Sequence, residues 1–158
     1  MSEIQINLAN SIQESEFLYK TRRHPEVDKM LSGNPPSSMA QHTLYLDLVQ
    51  DKTRWIYIAS TFREDSKIFV GYSQIYDLTE ETIEIGFVIH PDEQGRGYGK
   101  DLVLKTIAKA KEKFPNKKVI LYVLRNNHKA KHIYEKLGFI EKTLPSTDEV
   151  TLGMELTR

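Results

Sequence analysis

Cysteine is absent from the 158-residue chain, which excludes disulfides, thiolate metal sites and a cysteine nucleophile. Charge of one sign is not in excess either. Lysine and arginine total 22, aspartate and glutamate 22, so no global field favours nucleic acid or an anionic membrane. A basic stripe interleaved with aromatics, the footprint of a nucleic-acid surface, is missing too. No apolar run approaches the ~20 residues that span a bilayer. The opening residues 1–11 lack a basic region followed by an apolar core, so no signal peptide is expected. The histidines have no compact set of carboxylate partners, and no metal site is expected. There is no internal repeat and no low-complexity segment. The expectation is a cytoplasmic protein with one domain over 1–158, long enough to enclose a sizeable core.

What is present reads as alternating elements. Residues 3–8 set Ile4, Ile6 and Leu8 against polar neighbours, a short half-buried strand. Ser11-x-x-Glu14 has capping-box form and opens a helix with Ile12, Phe17 and Leu18 as its apolar face. That helix ends near Arg22-Arg23-His24, because Pro25 restricts the residue before it. A further turn runs through Val27, Met30 and Leu31, and 32–36 is a loop by composition. Ser38-x-x-Gln41 caps a second helix with Leu44, Leu48 and Val49 inward, joined by Tyr45 or Leu46. Strands follow at 55–60, at 67–76 with a bulge or close approach at Gly71, and at 82–90, linked by polar turns into two antiparallel hairpins. A helix to residue 113 carries Leu102, Val103, Ile107 and Ala110 on one face. After Phe114-Pro115-Asn116 come a strand at 117–124, a helix at 128–136 capped by Asn126 or Asn127 and stopped by Gly138, and a closing hairpin of 139–143 with 150–156. Helices between strands, with several strands joined by short turns, make a mixed α/β sheet.

The stretch 84–113 organises the chain. A β-branched apolar strand leads into Gln94-Gly95-Arg96-Gly97-Tyr98-Gly99-Lys100 and then an amphipathic helix. A glycine turn between a strand and a helix N-terminus is an anion cradle: backbone N–H groups converge, the helix dipole is positive, and missing side chains let a phosphate touch the main chain. Glycines at 95, 97 and 99 do not fit the dinucleotide spacing G-x-G-x-x-G. A P-loop needs four residues before Gly-Lys and then Ser or Thr, whereas here three residues separate Gly95 from Gly99 and Asp101 follows Lys100.

The spacing that matches is Q-x-x-G-x-G at Gln94, Gly97 and Gly99, after a strand closed by Pro91. It resembles the acetyl-CoA signature of the GNAT superfamily of N-acetyltransferases. A second pattern supports it. Asn127, Ala130, Tyr134 and Gly138-Phe139 resemble the superfamily's N-x-x-A-x-x-x-Y-x-x-x-G-F, one helix and one strand after the glycine loop. The resemblance covers residues 50–156 well and the first helices more loosely. It implies the GNAT fold: a mostly antiparallel mixed sheet with a V-shaped splay, flanked by helices. Residues 80–140 would form the acetyl-CoA core and the helices in 11–50 the acceptor side. It further implies that Phe87, Val88 and Ile89 offer backbone groups to the pantetheine, that Gln94 to Lys100 hold the pyrophosphate, that Asn127 bonds the pantetheine arm and that Tyr134 lies near the thioester sulfur. A homodimer is left open.

The chemistry so implied is direct attack of an amine on the acetyl carbonyl. The carbonyl oxygen needs a donor, for which the Val88 N–H is expected. Tyr134 serves as acid toward the departing thiolate, and Glu84, on the same strand face as Gly86 and Val88, is the candidate base. Water, His90 or a histidine of the N-terminal helices are the alternatives. Ribosomal-protein alanine acetyltransferases use a glutamate five residues before the Asn; here that position is Tyr122, left as an acceptor ligand. Arg22-Arg23-His24-Pro25 with His42 resembles nucleotide-sugar N-acetyltransferases of pseudaminic acid synthesis, in which Arg22 and His42 would meet the nucleotide or sugar. A peptide N-terminus, a polyamine or another small amine are the other acceptors considered, and a CoA-binding regulator without turnover is the reading from another class.

Overall fold

A computed structural model describes residues 3–31 and 35–157 of the protein. Residues 32–34 of the loop expected at 32–36 lie outside the described residues. The elements run β1 (Gln5–Leu8), α1 (Ile12–Arg23), α2 (Pro25–Asp28), α3 (Met39–Val49), β2 (Arg54–Arg63), β3 (Ser66–Asp77), β4 (Thr82–Ile89), α4 (Tyr98–Lys113), β5 (Lys118–Leu124), α5 (His128–Lys136), β6 (Phe139–Glu141) and β7 (Thr151–Leu156).

One seven-stranded sheet results, in the order β1-β2-β3-β4-β5-β7-β6. Every neighbouring pair is antiparallel except β4 with β5. Glu64 and Asp65, at φ 52° and 65°, make the tight left-handed turn that suits a β2–β3 hairpin. The register between these strands shifts at Ala59/Ser60, and a Cβ on Gly71 would run into the Val88 carbonyl oxygen. The sequence expectation of a bulge or close approach at Gly71 is met by both.

Period two sorts β4 between two cores. Ile83 and Ile85 point to the α4 side, where Val103, Ile107 and Ala110 are buried against them with Leu121 and Val123. Val88 points the other way, into a cluster with Ile56, Ile58 and Tyr72 closed by Leu18 of α1, Val27 of α2 and Leu46 of α3. Ser11 caps α1 with both halves of the capping box in place, Asn127 caps α5, and Gly138, at φ 103°, ends it.

Two helix faces differ from the sequence reading. Ile12 is 77% exposed, and Leu44 and Leu48 are 66% and 74% exposed, whereas Leu46 and His42 are buried. Leucines at 44, 46 and 48 offer α3 two competing stripes. The one containing His42, Leu46 and Val49 turns inward, because α1 and the sheet meet the helix on that side.

The feature that positions the site is the β4–β5 seam. Pairing spans only Thr82↔Lys118, Ile83↔Val119 and Glu84↔Ile120. Beyond Glu84, β4 stays bonded to β3 as far as Ile89, and beyond Ile120, β5 stays bonded to β7 as far as Leu124. The sheet therefore opens into a V with Glu84 at its apex.

Candidate functional site

The mouth of the V is closed by the 94–100 turn. His90 Nδ1 accepts from the Asp92 N–H at 3.1 Å and caps the short turn Pro91–Glu93. Gly95 and Gly97 have φ of 80° and 85°, a conformation other residues adopt at a cost. Gly97 is the N-cap of α4 and supplies no side-chain cap, so side chains leave the first N–H groups of the helix unclaimed. A Cβ on Gly95 or Gly99 would meet nothing within 4 Å. Open space, unclaimed N–H groups and the positive end of a 16-residue helix fit a diphosphate.

A brace not foreseen from the sequence fixes this turn. Arg63, at the end of β2, donates to both Glu93 oxygens at 2.8 and 3.1 Å and to the Tyr98 hydroxyl at 3.2 Å. These bonds hold the Glu93 carboxyl below its usual range, with Arg96, 3.6 Å away, contributing less. The Tyr98 side chain is thereby a buried strut.

Along the seam, hydrogen-bond parity decides which groups face the opening. The His90 N–H donates to the Val70 carbonyl, and the Lys118 N–H to the Glu81 carbonyl. Counting by twos, even residues of β4 bond to β3 and odd residues turn toward β5. The Val88 N–H is thus directed into the β3 ladder, contrary to the expectation that it meets an acyl oxygen. The N–H groups of Phe87 and Ile89 take that direction instead. Gln94 Nε2 donates to the Ile89 carbonyl at 3.3 Å, joining the mouth to the last seam-facing residue.

Tyr134 of α5 leans on Phe87 and Phe139, with ring centroids 5.9 and 6.0 Å away. Burial pushes its hydroxyl up to about 12, and the hydroxyl has no hydrogen-bond partner among the described residues. Asn127 accepts the Ala130 N–H through Oδ1 at 3.3 Å, which leaves its amide N–H donors uncommitted. At the apex, burial raises the Glu84 carboxyl above its ordinary value, and the nearby Arg54 charge opposes this only in part.

Opposite the mouth, Arg22 donates to Asp28 at 2.9 Å. His42 is buried between α1 and α3, its ring 5.9 Å from that of Tyr19. Burial holds it below the usual histidine range, and its Nε2 has no partner among the described residues. The Tyr122 hydroxyl accepts the Ser146 N–H at 3.2 Å.

One cleft of about 1310 Å³ joins these groups. It is bordered by Glu84, Phe87, Val88, Ile89, Gln94, Gly95, Gly97, Tyr98, Gly99, Lys100, Asn127 and Tyr134, and also by Arg22, His42 and Tyr122. Of the residues expected in the site, Arg96 does not border it. Nor do His90 and His24, each engaged at Nδ1 as a turn cap. Arg54, Tyr45, Tyr72 and Gln74 do border it and went unread, since no motif marks them. Among the described residues no cluster of three or more metal-ligating side chains occurs, and no helix is long and apolar enough to cross a membrane.

A family model described as an acetyltransferase (GNAT) domain matches residues 10–140. The L-amino acid N-acyltransferase MnaT of Escherichia coli is 28% identical over 83 residues, which cover 49% of this chain and 47% of that protein. Curated relatives between 27% and 32% identical are each matched over less than half their own length. Among solved structures, the spermidine N-acetyltransferase of Vibrio cholerae in complex with CoA and spermine superposes with a TM-score of 0.84 at 18% identity, covering 98% of this chain and 95% of that one. The N-acetyltransferase PseH of Campylobacter jejuni does so with a TM-score of 0.69 at 21% identity, over 97% and 96%.

Proposed function

This chain belongs to the acetyltransferase (GNAT) domain family, and from that premise we propose that it moves an acetyl group from acetyl-CoA to a primary amine. The observation that carries the reading is the β4–β5 seam, open beyond Glu84 and closed at its mouth by a side-chain-free cradle. The co-substrate supplies an activated acetyl carbonyl and a thiolate leaving group.

The residues present suit it. The 94–100 turn with the α4 N-terminus would hold the diphosphate. The seam-facing groups of Phe87 and Ile89, flanking Val88, with the free donors of Asn127, would hold the pantetheine. Three chemical tasks then fall to this chain. A seam-facing N–H of β4 donates to the acyl oxygen as charge builds there. The Glu84 carboxylate, made more basic by burial, takes the proton of the amine directly or through water. The Tyr134 hydroxyl, at about 12, stays protonated at working pH and donates to the departing sulfur. Full transfer to a thiolate near ~8.5 is uphill by roughly 5 kcal/mol, so its part is a hydrogen bond that strengthens as the C–S bond breaks.

For the acceptor, Arg22 and His42 beside the cleft favour the amino group of a nucleotide-linked amino sugar, the acceptor class of the enzymes that the Arg22-Arg23-His24-Pro25 and His42 pattern resembles. A small-molecule or peptide N-terminal amine is the second reading, favoured by the sequence match to an L-amino acid N-acyltransferase. An acceptor panel containing UDP-amino sugars, amino acids, N-terminal peptides and spermidine, scored by free thiol release from acetyl-CoA, tests both. Acetyl-CoA binding without thiol release across that panel would replace the enzyme with a CoA-binding regulator.

A further inference from the structure

Resting on that acetyl-transfer reading, we propose that Arg54 is the anion-recognition residue of the acceptor pocket, and that the acceptor carries a carboxylate or phosphate beside its amine. Arg54 opens β2 and, through the register Arg54↔Tyr76↔Glu84, shares a sheet face with the base at the apex. Its guanidinium lies over the Tyr76 ring at 3.2 Å from the centroid, with Tyr45 5.4 Å away. These rings hold it in place within the cleft wall.

No carboxylate lies within ion-pair distance of its guanidinium, and the guanidinium makes no hydrogen bond among the described residues. A partly buried arginine normally recovers its lost hydration from an ion pair. Aromatic contact offsets only part of that loss, and the N–H donors at the edge of the guanidinium stay free. That donor fork suits the two oxygens of a carboxylate or phosphate. Burial draws the Arg54 charge down while Tyr45 and Glu84 support it, the situation a bound anion would relieve.

The remaining charges of the cleft point the same way. Glu26 is taken by Lys29 at 2.9 Å and Glu93 by Arg63, which leaves Glu84 as the uncommitted acid. One carboxylate suits one amine. It would leave the further ammonium groups of a polyamine facing Arg54 without partners.

The test uses acceptors matched except for charge: an amino acid against its amide, and a UDP-linked amino sugar against the free amino sugar, with spermidine as the polycation. The anionic member of a pair should be preferred at least tenfold in kcat/KM. Arg54→Gln should abolish that preference through KM for the anionic member, with KM for acetyl-CoA within twofold. Loss of the Arg54 charge lets the Glu84 carboxyl rise further, which changes kcat on both members alike and leaves the ratio between them as the readout. Which pair responds separates carboxylate from phosphate. An unchanged preference in Arg54→Gln, equal losses on charged and neutral acceptors, or spermidine as the best acceptor would each overturn the assignment. Calorimetric titration with UDP and with the amino acid needs no turnover, so it can fail separately from the acetyl-transfer reading. Binding that weakens at least tenfold in Arg54→Gln supports the site, and binding of neither anion by the unaltered protein overturns it.

Discussion

Tyr134 and Glu84 are both raised by burial, and in the proposed reaction the same direction of shift would serve opposite roles: it keeps a phenol protonated and makes a carboxylate a better base. Tyr134→Phe should lower kcat ten- to a hundredfold, about the worth of one strengthened hydrogen bond, with KM for acetyl-CoA within twofold. An unaltered kcat would remove the hydroxyl from the reaction. Glu84→Gln should erase the acidic limb of the kcat/KM profile, which is expected above the ordinary carboxyl range of about 4.5. The sign for stability is opposite. A carboxyl raised in the fold stabilises it while protonated, and this contribution is lost as pH rises above the unfolded value. At neutral pH Glu84→Gln should therefore raise Tm, by about 2–4 °C for each kcal/mol recovered at this chain length. A fall in Tm would mean that the charged form is favoured by a partner. Both residues border the cleft and were legible as candidates because each sits in a patterned stretch, one in N-x-x-A-x-x-x-Y and one in period two with Gly86 and Val88. Arg54 was not, because its meaning lies in rings contributed by α3 and β3 that sequence spacing does not join.

At the scale of elements, the glycine turn depends on a partner far away in sequence. Arg63 neutralises Glu93 beside the cradle, so Arg63→Met would leave a carboxylate next to the diphosphate. Acetyl-CoA affinity should fall roughly tenfold and recover in large part when Glu93→Gln is added, since the second change removes the stranded charge. Equal affinities in the single and double variants would show that the brace acts through shape alone. The turn was readable as a motif, whereas its brace was not, because nothing at position 63 announces a contact thirty residues on. Helix α3 shows the converse, a pattern with two solutions. Leu46→Ala should cost about 2–4 kcal/mol and Leu44→Ala less than about 0.5, measured by denaturant unfolding. The reverse order would restore the stripe read from the sequence.

For the whole molecule, the decisive property is that one sheet is split over half the length of two strands. The split was reached through family resemblance and not through periodicity, because β4 and β5 each look like ordinary buried strands. Only the register records where their pairing ends. A split sheet leaves backbone groups of β4 and β5 without ladder partners between them. It also leaves α5, which has no fully buried residue, resting on one side only. A ligand seated in the seam supplies the missing neighbour, so binding and folding are linked. At a hundredfold excess over Kd, acetyl-CoA should stabilise the protein by about 2.7 kcal/mol, or about 5–10 °C in Tm. Hydrogen-exchange protection should not spread evenly. It should concentrate in residues 85–89, in the first turn of α4, in residues 121–124 and in α5, with little change in β1 or β6. Protection confined to α1 and α3 would place the ligand on the acceptor side, and a Tm that ignores acetyl-CoA would mean that the seam holds something else.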